Sequence, residues 1–173
     1  MSRYDGFREF MGAYGGQLSR FAYLLTGNHH AAEDLLQTSL TKVAARWPRI
    51  SGYDQPVSYV RRIMVHDHIS GWRWRRRRPE NPVPDVPEGS VPDAAESTVR
   101  RIVVVRALGQ LSPRQRAVVV LRFYQDMTET QVAAELGVSV GTVKSQTHHA
   151  LAKLRAVAPE LADLLHNGSE VQA

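Results

Sequence analysis

Residues 111–155 read LSPRQRAVVVLRFYQDMTETQVAAELGVSVGTVKSQTHHALAKLR, and this stretch predicts two helix-turn-helix elements in tandem. Ser112 is a candidate N-cap, and Gln115 three residues later completes a capping box. Pro113 fits the first helical position, because a residue at that position needs no N–H group for the helix. A helix is therefore expected to begin at Pro113.

The same signals return further along the stretch. Thr128 and Gln131 form a second candidate capping box, and Gly137 supplies the left-handed residue that commonly ends a helix. Ser139 then caps a further helix, so that only about three residues separate the two helices. This spacing is typical of a DNA-binding helix-turn-helix, whose second helix enters a major groove.

That second helix, roughly Val140–Arg155, divides into two faces by its 3.6-residue period. The predicted inner face consists of Val143, Thr147, Ala150 and Leu154. The predicted outer face carries side chains that can hydrogen-bond to base edges or phosphates: Lys144, Ser145, His148 and His149. An amphipathic helix with a merely solvated polar face is the alternative, but the caps and the short turn favour a DNA-facing surface.

Composition limits the remaining classes of function. The chain has 173 residues, of which 43% are hydrophobic, and no cysteine. This length allows one domain or two small ones, and the absence of cysteine excludes disulfides and thiolate metal sites. No apolar run approaches the ~20 residues of a membrane-spanning helix, and the N-terminus has no signal-peptide core. A cytoplasmic protein without a membrane partner is expected.

The formal net charge of +5 is concentrated in one segment. Residues 59–78 contain seven arginines and one acidic residue, Asp67, which gives this segment +6 and leaves −1 for the rest of the chain. Trp72 and Trp74 lie among the arginines. Arginine neutralises phosphates and indole stacks on unpaired bases, so the segment suits single-stranded or melting nucleic acid. A solvated helix end is the alternative.

A proline-rich segment divides the chain. Residues 79–92 contain five prolines, which resist helix and sheet and favour an extended linker. Apolar residues at helical spacing begin again with Val99, Ile102, Val103, Val105 and Leu108. No segment alternates like a strand. The fold class is therefore all-α, with two small helical domains, 1–78 and 97–173, joined by a linker at 79–96.

Three helices are predicted in the first domain. The first runs from Phe7 to Leu25 and ends at Thr26–Gly27. The second runs from about Ala31 to Trp47, with Leu36, Leu40, Val43 and Trp47 inward and Glu33, Asp34, Gln37 and Thr41 outward. A turn-rich loop, Arg49–Pro56, is expected to be an exposed connection suited to function. It leads to the third helix, which runs from Val57 toward the arginines.

Taken in order, several segments resemble parts of an extracytoplasmic-function (group 4) sigma factor of bacterial RNA polymerase, in the sigma-70 family. These are AEDLLQ (32–37), YVRRIMVHDHISGWRWRRRR (59–78), the proline-rich linker, LSPRQRAVVVLRF (111–123) and VAAELGVSVGTVKS (132–145). The resemblance covers nearly the whole chain. It implies that residues 1–78 are sigma region 2 and that residues 97–173 are sigma region 4.

The resemblance also implies roles for particular residues. Region 2 would dock on the polymerase clamp helices through Glu33, Asp34 and Gln37. It would open the minus-ten element and hold its strands through Ile50, Tyr53, Arg61, Arg62, His66, Trp72, Arg73, Arg75, Arg76, Arg77 and Arg78. Region 4 would lean on the polymerase flap and read the minus-thirty-five element through Thr142, Lys144, Ser145, His148 and His149.

The implied partners are core RNA polymerase and promoter DNA, and control by an anti-sigma factor stays open. Opening DNA and flipping a base costs a few kcal/mol, which stacking and phosphate contacts can offset. No cofactor or metal is expected. The implied protein is not an enzyme, because the chemistry of transcription belongs to the polymerase.

Two other classes of protein share part of this sequence pattern. A response-regulator-type transcription factor can carry a similar output module, but it would place a strand-rich domain before that module, and residues 1–78 have no strand pattern. A metal enzyme would need clustered ligands. His30 with Glu33 or Asp34 is the nearest approach to such a cluster, and no third ligand stands at a useful spacing.

Overall fold

The computed structural model of this chain describes residues 5–76 and 95–159, with side chains described for residues 6–71 and 102–159. The described residues contain helices and turns but no strand, which confirms the all-α prediction. They form two compact units, one before and one after residues 77–94. The predicted linker up to residue 94 and the tail beyond Pro159 lie outside the described residues.

The first unit contains four helices: α1 (Asp5–Thr26), α2 (His29–Ala45), α3 (Trp47–Ile50) and α4 (Pro56–Arg76). Helices α1, α2 and α4 pack against one another in pairs. Their shared core includes Leu18, Phe21 and Leu25 of α1, Val43 of α2, and Val60 and Met64 of α4, all fully buried. The apolar spacing that predicted α1 therefore marks the face that it buries.

The first helix ends at Thr26–Gly27, as predicted, and a short turn leads from α1 to α2. Gly27 has φ 74°, which is the left-handed conformation that glycine adopts without a steric penalty. Asn28 then caps α2, because its side chain accepts a hydrogen bond of 2.8 Å from the backbone N–H of Ala31. Two adjacent residues thus end one helix and start the next.

The second predicted helix was displaced by two residues, because it was expected at about Ala31–Trp47 and α2 spans His29–Ala45. α2 ends at Ala45, and Arg46 leaves helical geometry with φ −112° and ψ 8°. Pro48 favours this break, since it lacks an N–H and sits in the first turn of the separate helix α3. Trp47 is buried there against Phe7 and Phe10, with ring centroids 5.3 and 4.9 Å away. α3 also takes up the start of the predicted loop, which shortens to residues 51–55.

The predicted inner face of α2 was displaced by one residue. Leu36 and Leu40 are half-buried, whereas Leu35 and Ser39 are buried. α2 packs on both α1 and α4, so its buried side is fixed by two neighbours rather than by its most apolar residues. Ser39 can be buried because Asp67 of α4 accepts a hydrogen bond from its hydroxyl at 3.0 Å.

The second unit contains α5 (Ala95–Gly109), α6 (Pro113–Val119), α7 (Glu129–Leu136) and α8 (Val140–Val157). α5 begins two residues inside the predicted linker. α8 packs against the other three helices. The core between them includes Val118, Leu121, Val132, Val143 and Leu154. α8 is therefore held along one side by the whole unit.

Both predicted capping boxes are present. The backbone N–H of Gln115 donates to Ser112 Oγ at 3.3 Å, and Ser112 N–H donates to Gln115 Oε1 at 3.1 Å. At α7 the same pair of bonds joins Gln131 and Thr128 at 3.2 and 2.7 Å. Each box satisfies two backbone donors that a helix start would otherwise leave unpaired.

A π-helical turn, Val120–Tyr124, follows α6 and was not predicted. Asp126 after it has φ 51°, which is uncommon for a residue other than glycine. Arg122 Nη1 donates a hydrogen bond to the carbonyl of Met127 and so ties the turn to the segment before α7. π-Helical turns are rare and occur mostly as single turns inserted in α-helices.

Candidate nucleic-acid interface

The outer face of α8 is the first part of the candidate interface. Lys144, Ser145, His148 and His149 are exposed, as predicted. On the opposite side Val143, Ala150 and Leu154 are fully buried. Thr147 is half-buried and uses its hydroxyl within the helix, donating to the carbonyl of Val143 at 2.8 Å. We call the four exposed residues the α8 face.

The turn between α7 and α8 fixes where α8 begins. It consists of three residues, Gly137 to Ser139, and Gly137 has φ 64°. Val138 N–H donates to the carbonyl of Ala133 at 3.0 Å. Ser139 Oγ accepts from the N–H of Thr142 at 3.1 Å and lies 2.9 Å from Thr142 Oγ1. Thr142 is therefore half-buried at the start of α8, where its hydroxyl contacts the cap.

One ion pair joins the α8 face to α7. Lys144 Nζ lies 3.8 Å from Glu129 Oε2, and the side chains are 66% and 31% exposed. An exposed pair at this distance contributes at most about 1 kcal/mol. Sequence periodicity could not predict it, since the two residues belong to different helices.

The outer side of α4 is the second part of the candidate interface. Arg62 and His66 are exposed, and Tyr59 is half-buried. Their spacing of three and four residues puts them on one side of the helix. The ring of Tyr59 meets Tyr53 from the preceding loop edge-on, with centroids 5.2 Å apart. We call Tyr59, Arg62 and His66 the α4 stripe. Tyr59 was missed, although its spacing from Arg62 signalled it.

Arg61 does not join this stripe. It is half-buried, and its Nη2 donates to Ser58 Oγ at 3.0 Å. Adjacent residues on a helix point about 100° apart, so Arg61 and Arg62 face different directions. His68, two residues after His66, is buried, as its position on the other side of α4 predicts.

A polar network joins α4 to α2. Asp67 of α4 accepts a hydrogen bond from Ser39 at 3.0 Å and forms an ion pair with Lys42. The side chain of Asp67 is 17% exposed and that of Lys42 is 50% exposed. None of these three residues was singled out for this contact, because Asp67 stands 28 and 25 positions from Ser39 and Lys42 in sequence.

The outer side of α2 is acidic and polar. Glu33, Asp34 and Gln37 are all exposed, and their spacing groups them on one side of the helix. This confirms that the three predicted residues share a solvent-facing surface. Ala32 and Leu35 beside them are buried, which fixes the direction in which the surface points.

Two family models match this chain: Sigma-70 region 2 over residues 10–78, and Sigma-70, region 4 over residues 107–156. The RNA polymerase sigma-E factor of Streptomyces coelicolor is 39% identical over 149 residues, which cover 86% of this chain and 84% of that protein. The chain belongs to the sigma-70 family.

A further relative defines the branch of the family. The ECF RNA polymerase sigma factor SigL of Mycobacterium tuberculosis is 33% identical over 148 residues, covering 83% of this chain and 84% of that protein. The chain is thus an extracytoplasmic-function RNA polymerase sigma factor, as the motifs indicated. The response-regulator alternative is not favoured, because the region 2 match lies before region 4.

A solved structure supports the fold of this sigma factor. It is the sigma factor RpoE from Bartonella quintana, determined in complex with the anti-sigma factor NepR, and it has a TM-score of 0.71. The similarity covers 90% of this chain and 98% of that chain at 22% sequence identity. The two proteins therefore share a fold.

The structure does not bring every predicted promoter contact of the sigma factor to its surface. Ile50 is 1% exposed and packs in the core of the first unit, so it supports the loop and is not placed to touch DNA. The side chains of Trp72, Arg73, Arg75 and Arg76 lie beyond the described side chains, although α4 extends to Arg76. Arg77 and Arg78 lie outside the described residues.

Within the described part of the chain, no group of three or more histidine, aspartate and glutamate side chains could hold a metal ion. The same residues include no helix with both the length and the apolar character that crossing a membrane requires.

Proposed function

We propose that this sigma factor reads a promoter at two separated places, with the α8 face on the minus-thirty-five element and the α4 stripe, together with Tyr53, on the minus-ten element. The proposal is carried by one observation. Each unit of the protein presents a helix whose outer side gathers cationic, imidazole or hydroxyl side chains, while its other side is buried in the core.

The α8 face suits a major groove. Its N-terminal half follows a three-residue turn and holds Lys144 and Ser145, and His148 and His149 follow one turn later. Lysine donates to guanine O6 and N7, and serine can hydrogen-bond to the edge of any base. All four side chains of the α8 face can also reach phosphates. The N-terminal residues of a recognition helix are also the ones that contact base edges. Thr142 supports this surface through the cap.

The α4 stripe suits DNA that is being opened. Tyr53 is 36% exposed and contacts Tyr59 edge-on, so an unpaired base could stack on the exposed ring. Base–aromatic stacking contributes about 1–3 kcal/mol per base. Arg62 and His66 follow on the same side of α4 and would contact the backbone of the strand. Arg61, Trp72 and the arginines from 73 to 78 are proposed to extend this contact.

The acidic outer side of α2 is proposed to bind core polymerase. Glu33, Asp34 and Gln37 are exposed together and make no part of the core. Two carboxylates on one helical surface favour a basic partner, and such complementarity guides association. The surface also points away from the α2–α4 contact, which leaves α4 accessible to DNA while α2 is occupied.

The sigma factor itself is proposed to catalyse no reaction. It would act in the cytoplasm with the polymerase, which supplies the chemistry of RNA synthesis. The residues of the α4 stripe and the α8 face would contribute binding energy and base recognition only. This assignment requires no cofactor.

Reconstituted transcription tests the proposal. Core RNA polymerase and the full chain are mixed with genomic DNA fragments, and promoter-specific transcripts are mapped to their start sites. Discrete starts that share two spaced upstream elements are expected. Lys144→Ala should weaken transcription from these promoters. Arg20→Ala is the matched control, because Arg20 is an exposed cation on α1, outside the α4 stripe, the α8 face and the acidic side of α2. The proposal fails if core polymerase makes no new transcripts.

A further inference from the structure

Asp67 is the only acidic residue in the arginine-rich segment 59–78, and both of its carboxylate oxygens are used between α4 and α2. Oδ2 accepts from Ser39 Oγ at 3.0 Å, and Oδ1 bonds to Lys42 Nζ. Ser39 is fully buried. A buried hydroxyl is costly without a partner, so the network also satisfies Ser39.

The rest of the α2–α4 contact is built around apolar side chains such as Val43, Val60 and Met64. Apolar contacts hold two helices together but are non-directional. Hydrogen bonds and ion pairs depend on angle and distance, and buried polar groups are best attested as devices that fix the register of packed helices. The Asp67 network is therefore the directional part of this contact.

Asp67 directly follows His66 of the α4 stripe. A rotation or slide of α4 that breaks the bonds of Asp67 must also displace His66 and Arg62, because the residues share a rigid helix. α2, at the other end of these bonds, carries the surface proposed to bind polymerase. The network thus connects two surfaces that must act on the same promoter complex.

We propose that Asp67 is a positioning residue for promoter opening: its bonds to Ser39 and Lys42 fix the orientation of the α4 stripe relative to α2. The sigma factor then holds polymerase with α2 and presents Arg62 and His66 to the minus-ten DNA in a set geometry. This inference deepens the proposed function and rests on the assignment of α4 to the minus-ten element.

The test separates polymerase binding from promoter opening in the full chain. Core affinity is measured by titrating fluorescently labelled protein with core polymerase. Opening is measured from the permanganate reactivity of unpaired thymines on a promoter that the wild-type protein recognises. Asp67→Ala should reduce the rate of opening ~10-fold, since it removes a charged hydrogen bond and an ion pair. Core affinity should change less than ~2-fold, because the outer side of α2 is intact.

Milder variants keep the test decisive if Asp67→Ala folds poorly. Asp67→Asn retains an acceptor for Ser39 but loses the ion pair, and Lys42→Met removes the pair from the other side. Both should slow opening, by ~3-fold each. The double variant should be no slower than either single variant, because both remove the same interaction. Glu9→Gln is the control, since it makes the same chemical change at an exposed position on α1.

Three results would overturn the inference. Asp67→Asn could accelerate opening, which would mean that the negative charge only repels DNA. Core affinity and opening could fall in parallel with the melting temperature, which would mean that the network only stabilises the fold. Opening could also be unchanged in all variants. A failure of the proposed function itself would differ, because the wild-type protein would then open no promoter with core polymerase.

Discussion

Replacing Thr128 by alanine should selectively loosen the support of the α8 face. Thr128 Oγ1 accepts the N–H of Gln131 at 3.2 Å and is one half of the capping box of α7. α7 has only eight residues, so it depends on its ends. Loss of a threonine N-cap costs about 1 kcal/mol, which corresponds to a roughly fivefold larger unfolding constant.

Hydrogen exchange measured by mass spectrometry on the full chain is the direct assay. Amides of α7 and α8 should exchange about fivefold faster in Thr128→Ala, while those of α2 and α4 should not change, because they belong to the other unit. Thr128→Ser should loosen neither helix, since serine caps at least as well as threonine. Thr130→Ala is the control, because Thr130 is also exposed at the start of α7 but makes no cap bond.

Tryptophan fluorescence gives an internal reference. The three tryptophans all lie before residue 75, so their unfolding transition reports on the first part of the chain. That transition should be the same in Thr128→Ala and in the wild type. The reasoning would be refuted if α7 and α8 kept their exchange rates, or if Thr130→Ala loosened them as much as Thr128→Ala did.

Three further predictions concern other parts of the protein. Gly12→Ala and Gly16→Ala should each stabilise the first unit by about 0.5–1 kcal/mol in urea unfolding, because an added Cβ meets nothing within 4 Å; a loss of stability would show an unrecognised contact. Glu129→Gln should tighten DNA binding about 2-fold by releasing Lys144 from its ion pair, and unchanged or weaker binding would contradict this. Arg62→Ala should lower the slope of log affinity against log salt by about 0.7–0.9, and an unchanged slope would remove Arg62 from the phosphate contacts.

The helix-turn-helix was predictable because its signals are local. Ser112, Thr128 and Ser139 cap helices that begin one residue later, and Gly137 ends α7 in the left-handed conformation. Each of these effects involves residues within about four positions of one another. The inner and outer sides of α8 follow from the helical period alone. In this part of the protein, the sequence therefore predicts which individual side chains are buried and which are exposed.

The features that were missed depend on packing between distant segments. α3 forms where Trp47 meets the rings of α1, and neither helix signals the other in sequence. The buried side of α2 is set by two neighbouring helices, which is why Ser39 is buried and Leu40 only partly so. The network at Asp67 has the same origin. Sequence periodicity states which side of a helix is apolar, but not which neighbour will cover it.

The candidate interface contains residues whose exposure was predicted correctly and residues whose position was not. Glu33, Asp34 and Gln37, and the α8 face, lie at the surface as predicted. Ile50 was assigned to DNA from the family resemblance, yet it is buried, because the short helix α3 turns its side chain into the core. Tyr59 was overlooked because it carries no charge, whereas the arginines that follow it were predicted to bind DNA from their charge.

The most direct test of the central claim, that α4 and α8 contact two separate promoter elements, uses the absence of native cysteine. Ser70→Cys on α4 and Ser145→Cys on α8 are each labelled with a tethered iron chelate, assembled with core polymerase on a mapped promoter, and allowed to cleave the DNA. We predict cleavage near the minus-ten element from position 70 and near the minus-thirty-five element from position 145. The two cleavage sites should lie more than one helical turn, about 10 base pairs, apart. Cleavage at a single shared site, or none from position 145, would contradict the account.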